Sequence, residues 1–232
     1  MNRYKSKIGV CVLSAMVISA LLIIGMVPVS AEDKTESQGI VDKANVTLGA
    51  FLHDMNYTWL HENIKNAKGI LIYPQVLKAG YIFGGSGGTG VLLVKENNKG
   101  EWSQPVFYTV GAISFGLQIG GEVAETVILA MTQKAVDSLF TSSVKLGGDA
   151  SVALGPVGAG AQSDVTTDFI AFSKSKGIYG GISLDGSVVG VRDSLNKAYY
   201  GKEVSPVQII VEKKVSNKGS AKLRATLAKA GK

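Results

Sequence analysis

The run Gly69-Ile70-Leu71-Ile72-Tyr73-Pro74, then Gly80-Tyr81-Ile82-Phe83, the glycine-rich Gly84-Gly85-Ser86-Gly87-Gly88-Thr89-Gly90 and Val91-Leu92-Leu93-Val94, decides the fold of this chain. Its apolar stretches are short, rich in β-branched and aromatic residues, and bounded by glycine and proline, which is the punctuation of strands. Pro74 reads as the close of the first of them. Glycine weakens a strand, so its abundance inside strand-like runs predicts bulges, sharp bends or close backbone approaches in a curved sheet or small barrel. A phosphate-loop reading of residues 84–90 fails, because no Gly-Lys-Ser/Thr follows and the next segment is a strand where a helix would have to open.

Upstream the period changes to that of a helix. Ile40, Ala44, Thr47, Leu48 and Phe51 keep helical spacing, and Met55-Asn56-Tyr57 interrupts the helix before a second piece from Thr58 to Lys68, stopped by Gly69. Downstream, Trp102–Val110, Ala112–Gly120, Thr126–Met131, Asp168–Phe172 and 178–184 read as strands. Asp185-Gly186 marks a hairpin returning through Ser187–Val191. Thr132 caps a short helix carrying Ala135, Val136 and Leu139; another runs from Asp193 or Ser194 through Tyr200 to Gly201, and Ser205-Pro206 resembles a helix start. The expected fold class is α+β, with N-terminal helices packed on a curved, mainly antiparallel, glycine-rich sheet or small barrel.

Residues 1–31 read as a secretory signal peptide: Arg3, Lys5 and Lys7, an apolar run from Ile8 to Val27, Pro28, and the small residues Ser30-Ala31 before charged Glu32. An uncleaved anchor is the competing reading. The expected destination is periplasmic or secreted, peripheral to a membrane. Of 24 basic residues, three lie in this segment and seven among residues 213–232, neither of which holds an acid; residues 32–212 keep 14 against 18 acidic. The body is therefore mildly acidic, and residues 213–232 read as a basic C-terminal tail suited to an anionic surface and adding little to fold stability. Export argues against nucleic acid as its partner.

The single cysteine excludes a disulfide framework, a cysteine zinc site and an iron–sulfur cluster. His53 and His61, with Asp54 and Glu62 nearby, make at most a weak surface metal site. Glu122, Glu125, Asp149, Asp164 and Asp168 offer carboxylates, but no spacing singles out an acid–base pair. No motif calls for a cofactor, and nothing amounts to an enzyme signature. Lys65 and Lys68, three apart, share a face if both are helical, with Trp59, Leu60 and Ile64 beside them, a short cationic, amphipathic arrangement. The competing reading puts Trp59 in the core with the lysines as its solvated rim.

An ordered series of motifs resembles the SYLF domain family: 67–85 from Ala67-Lys68-Gly69 to Phe83-Gly84-Gly85, Gly100-Glu101-Trp102-Ser103-Gln104-Pro105, Gly116-Leu117-Gln118, Gly147-Gly148-Asp149-Ala150-Ser151, Gly155-Pro156-Val157-Gly158, Tyr179–Gly186, Asn196 and Tyr200-Gly201. The likeness covers roughly residues 40–212, and sets the domain at 32–212. It implies a non-enzymatic lipid-binding module: eukaryotic members bind phosphoinositide membranes, and fungal ones bind and bundle actin. For an exported bacterial member this translates into an anionic phospholipid or envelope surface as the partner, and it makes Lys65, Lys68 and Lys78, the basic residues nearest the family's opening motif, with Trp59, the candidate lipid-binding site. The alternative is a structural or protein-interaction domain of the envelope without a lipid ligand.

Overall fold

A computed structural model describes residues 31–80, 83–96, 100–115, 120–160, 167–175 and 184–231. Most of the expected signal segment, the segment 178–183 expected as a strand, Gly116-Leu117-Gln118 and Asp164 lie outside the described residues. The elements are helices α1 (Ala31–His53) and α2 (Thr58–Asn63); strands β1 (Gly69–Gly80), β2 (Phe83–Glu96), β3 (Glu101–Trp102), β4 (Val106–Phe115) and β5 (Gly120–Ala130); helix α3 (Gln133–Ser138); strands β6 (Ser143–Lys145), β7 (Val152–Leu154), β8 (Phe169–Ser175) and β9 (Val188–Val191); and helices α4 (Asp193–Tyr200), α5 (Pro206–Ile210) and α6 (Ala221–Ala230).

The strands form one sheet in the order β6-β9-β4-β2-β1-β5-β8-β7, with β3 added beside β2. Every described pairing is antiparallel except β7 with β8. The two ends of that order, β6 and β7, are joined by residues 146–151 and linked by a single bridge, Leu146 to Ala150. The sheet therefore curls round on itself into a half-barrel, in accord with the expected α+β class.

Both faces are buried over half its length, which explains the uninterrupted apolar runs. Leu71, Tyr73, Leu92, Ile128, Phe169 and Ala171 point into the concave core, which α3 and α5 also enter through Val136, Leu139, Ile209 and Ile210. The alternate residues Ile70, Ile72, Val91, Leu93, Val127, Leu129, Ile170 and Phe172 point outward, beneath α1, α2, α4 and α6. Along α1, Val41, Ala44, Leu48 and Phe51 supply the covering stripe.

Pro74 does not end a strand. The pairing of β1 shifts register between Ile72 and Gln75 against β2, and between Tyr73 and Val76 against β5, so Pro74 sits in a bulge of a central strand, the one place there that tolerates a residue without an N–H. The bulge pushes backbone onto β2. A Cβ on Gly90 would lie 2.2 Å from the Ile72 carbonyl oxygen, and one on Gly88 2.4 Å from that of Gln75. These two glycines are what the bulge requires opposite it, and the glycine-rich run is one continuous strand.

Two further expectations are corrected, and one helix start is borne out. Helix α2 stops at Asn63, and Gly69 opens β1. The start that Ser205-Pro206 signals opens α5, helical through Ile210 under a capping box of Ser205 and Gln208. Residues 213–232 are not a solvated tail: α6 buries Leu223 and Leu227 in the outer core, and Arg224 Nε donates to the Trp102 carbonyl at 2.7 Å. The segment is short for an independent helix, but packing against α1 and β3 supplies what an isolated helix lacks.

Candidate binding site

The structure separates the residues expected to form a lipid site. Trp59 is 8% exposed and packs in the outer core, its ring centre 5.9 Å from that of Phe172. Lys65 and Lys68 are exposed, but they lie beyond the end of α2 and share no helical face. The Lys65 carbonyl accepts from Lys95 Nζ at 2.5 Å, while Lys68 donates its N–H to Ala130 and accepts from that of Lys95, each at 2.8 Å, extending the ladder. Lys78 stands near the far end of β1, nine residues past Gly69 and so roughly 30 Å away. There it pairs across strands with Ser86 and Glu122. The two lysines near α2 form one group; Lys78 belongs to another part of the surface, and Trp59 lies inside.

The other candidates are dispersed as well. His53 Nδ1 donates to the Gly49 carbonyl at 2.7 Å and His61 Nε2 to that of Phe51 at 2.8 Å, so each ring is used in holding its helix end. Among the described residues no three His, Cys, Asp or Glu side chains converge as a metal site. Glu125 accepts from Thr47 Oγ1 at 3.1 Å, and Asp149 from the Lys145 N–H at 2.8 Å. Asp168 is a structural hub: it accepts from Thr132 Oγ1 at 2.7 Å, Lys134 Nζ at 3.0 Å and Ser151 N and Oγ at 3.1 and 3.0 Å. The Thr132 hydroxyl first, with Lys134 and Ser151, holds its carboxyl well below the usual carboxylate range despite its burial. Burial pushes the Tyr73 and Tyr108 hydroxyls far up, away from any acid–base role near neutrality. Gly84-x-Ser86-x-Gly88 has the spacing of a hydrolase elbow, but Ser86 lies within β2, without the strand-to-helix turn that exposes such a serine.

What the sequence reading missed is a cleft of about 1060 Å³ between the first half of α1 and the outer face of the sheet. Ile40 and Lys43 of α1 form one wall, Leu77 and Thr89 the floor, and Arg192 one end. Arg192 Nη1 donates to Thr89 Oγ1 at 3.3 Å, and among the described residues no carboxylate forms an ion pair with Arg192. Beyond the cleft, the outer face continues past the cover of α1. Register aligns Val188, Gly111, Gly87, Leu77 and Val123 in one row across β9, β4, β2, β1 and β5. Ile113, Gly85, Ala79 and Gly121 form the next. Ile113 is 80% and Leu77 52% exposed. Lys145 extends the first row beside Val188. No helix among the described residues is long and apolar enough to cross a membrane. The only sequence signal for this region was the glycine content itself; α1, β1, β2 and α4 converge on it from distant parts of the chain.

A half-barrel with an open cleft on its outer face has the form of a binding domain. The Ysc84 family, described as Las17-binding protein actin regulators, matches residues 111–230, more than half of the chain, and the chain belongs to that family, as its SYLF-like motifs imply. The match runs through α6, in keeping with the place of that helix in the core. An SH3 domain-containing protein of Schizosaccharomyces pombe is 35% identical over 154 residues, 63% of this chain and 35% of that protein. LAS seventeen-binding protein 3 of Saccharomyces cerevisiae is 33% identical over 154 residues, 63% of this chain and 33% of its own length. SH3 domain-containing YSC84-like protein 1 of Mus musculus is 32% identical over 152 residues, 63% and 44% respectively. The chain thus spans less than half the length of each of these relatives. No solved structure matches it.

Proposed function

We propose that this protein is a non-enzymatic module that binds an anionic lipid surface, exported to the cell envelope and peripheral to the membrane. The observation that carries the reading is the outer face at the glycine-rich end, which no described element covers. Leu77, Ile113, Val123 and Val188 are exposed there on two rows that otherwise hold Gly85, Gly87, Gly111, Gly121, Ala79 and Lys145. Exposed contiguous apolar surface of this kind marks a membrane or protein interaction site. Lys145, at the end of the first row, and Lys43 and Arg192, in the adjoining cleft, favour an anionic partner. Basic residues near such a surface contribute about 1 kcal/mol each.

The test is co-sedimentation with phosphatidylcholine vesicles carrying increasing phosphatidylglycerol, at low and high salt. Binding should rise with the anionic fraction, fall with salt, and drop in an Ile113→Asp, Val123→Asp variant that keeps its circular dichroism. Absence of vesicle binding under every condition overturns the reading. It would favour a protein partner, the alternative supported by a family described as Las17-binding. Export is tested separately: the mature protein should begin at Glu32 by intact mass, whereas retention of Met1 in a membrane fraction favours an anchor.

A further inference from the structure

We propose that the cleft beneath α1 holds a single long-chain amphiphile with an acidic head group, the head at Arg192 and the chain over Leu77 and Gly87. This rests on the lipid reading above and goes beyond it, from adsorption at a surface to capture of one molecule. A volume of about 1060 Å³ lies just above the range that small-molecule sites occupy, room enough for an extended chain.

The glycines of the cleft carry the argument. Gly88 and Gly90 are required by the bulge, but Gly39 and Gly87 are not. A Cβ on Gly39 would meet nothing within 4 Å, and one on Gly87 only the Val110 carbonyl oxygen at 3.7 Å. Neither has a positive φ. Gly39 lies inside α1 and Gly87 inside β2, and in both settings glycine weakens the element. Packing gives no reason for either residue. Both line the cleft, Gly39 on the wall and Gly87 on the floor, and a side chain at either would take up its space.

The backbone that carries the cation at the end is held in place. The Arg192 N–H donates to the Phe107 carbonyl at 2.9 Å, and its own carbonyl accepts from Leu195 and Asn196, each at 3.1 Å. Its guanidinium has five N–H donors, of which the bond to Thr89 engages one. Planar, paired donors of this kind suit a carboxylate or phosphate. Lys43 adds a second positive charge. Glu36 also lines the cleft, two turns before Lys43 and about 10 Å from it along α1, so the lining carries one acid beside its two cations.

The experiment titrates the full chain with monomeric dodecanoate and, separately, dodecyl phosphate, by calorimetry below their micelle concentrations, with dodecanol as the neutral control. Saturable 1:1 binding of the acids, at least tenfold tighter than of the alcohol, is expected. Arg192→Gln should weaken the acids about tenfold and leave the alcohol unchanged. Gly39→Leu should lower affinity at least tenfold while the melting temperature holds or rises, a combination that a merely structural role does not give. Carboxylate and phosphate arms distinguish a fatty acid from a phospholipid-type head. If neither acid binds at 1:1 while anionic vesicles still do, the cleft proposal is overturned and the surface reading stands. If Arg192→Gln or Gly39→Leu binds dodecanoate as the unaltered chain does, the assigned position is wrong. If vesicles and monomers both fail to bind, both readings fall.

Discussion

The side-chain oxygen of Asn196 accepts the backbone N–H of Phe107 at 2.9 Å, with both residues fully buried. The ladder between β4 and β9 stops at Tyr108 opposite Val191, so the peptide groups of Phe107 on that side have no strand partner. The first turn of α4 replaces it, Asn196 taking the N–H and Arg192 giving its own to the carbonyl. Asn196→Ala leaves a buried donor unsatisfied and should lower stability by about 1–3 kcal/mol in urea unfolding. A change below about 0.5 kcal/mol would mean that water or a shifted backbone serves Phe107 equally well.

Two glycines three residues apart should respond differently to the same change. Gly90→Ala places a methyl against the Ile72 carbonyl and the Tyr73 ring, and the backbone must move; a loss of at least 1–3 kcal/mol is expected, roughly the range for overpacking. Gly87→Ala meets only ordinary contact and should stay within about 0.5 kcal/mol of the unaltered chain. Equal losses in thermal unfolding would refute the bulge as the reason for Gly90.

Leu227 is fully buried between α6 and the outer core, and Leu223 nearly so. Leu227→Ala should reduce stability by about 2–5 kcal/mol. Truncation after Glu212 removes both leucines and should lower the melting temperature sharply. An unchanged melting temperature would restore the view of residues 213–232 as an appendage.

The depressed pKa of Asp168 sets a direction for acid sensitivity. Its folded value lies below the ordinary 3.8, so the unfolded chain takes up the proton first as pH falls. The stability it confers is complete above about pH 4 and is lost progressively below that, towards the folded value. Asp168→Asn should remove that part of the acid slope and lower stability at neutral pH by roughly 1.5–3 kcal/mol, since charge-assisted hydrogen bonds are lost. Unfolding midpoints measured from pH 2 to 7 for both chains check this. An unaltered slope would show that other carboxylates govern acid unfolding.

Much of the fold was legible because local signals agreed with tertiary demand. The stripe Val41, Ala44, Leu48 and Phe51 has one face to bury and is buried. Thr132, Ser205 and Gly201 mark helix ends as their cap chemistry requires. Asp185-Gly186 turns before β9, with Gly186 at φ +80°. The candidate site was not legible. Lys65, Lys68, Trp59 and Lys78 are neighbours in the chain, but the end of α2 at Asn63 and the length of β1 carry them to different places.

The amino-acid sequence by itself determined most of the element types and the family, because these follow from periodicity, cap residues and ordered motifs within short windows. Only the tertiary structure decided that Pro74 makes a bulge, that Leu223 and Leu227 belong to the core, and that α1 roofs a cleft ending at Arg192. Each of these depends on backbone meeting backbone, or helix meeting sheet, across long separations in the chain. Ile72 with Gly90, Trp102 with Arg224, and Ile40 with Arg192 leave no local pattern, since the constraint between the two members of each pair exists only once the sheet has curled.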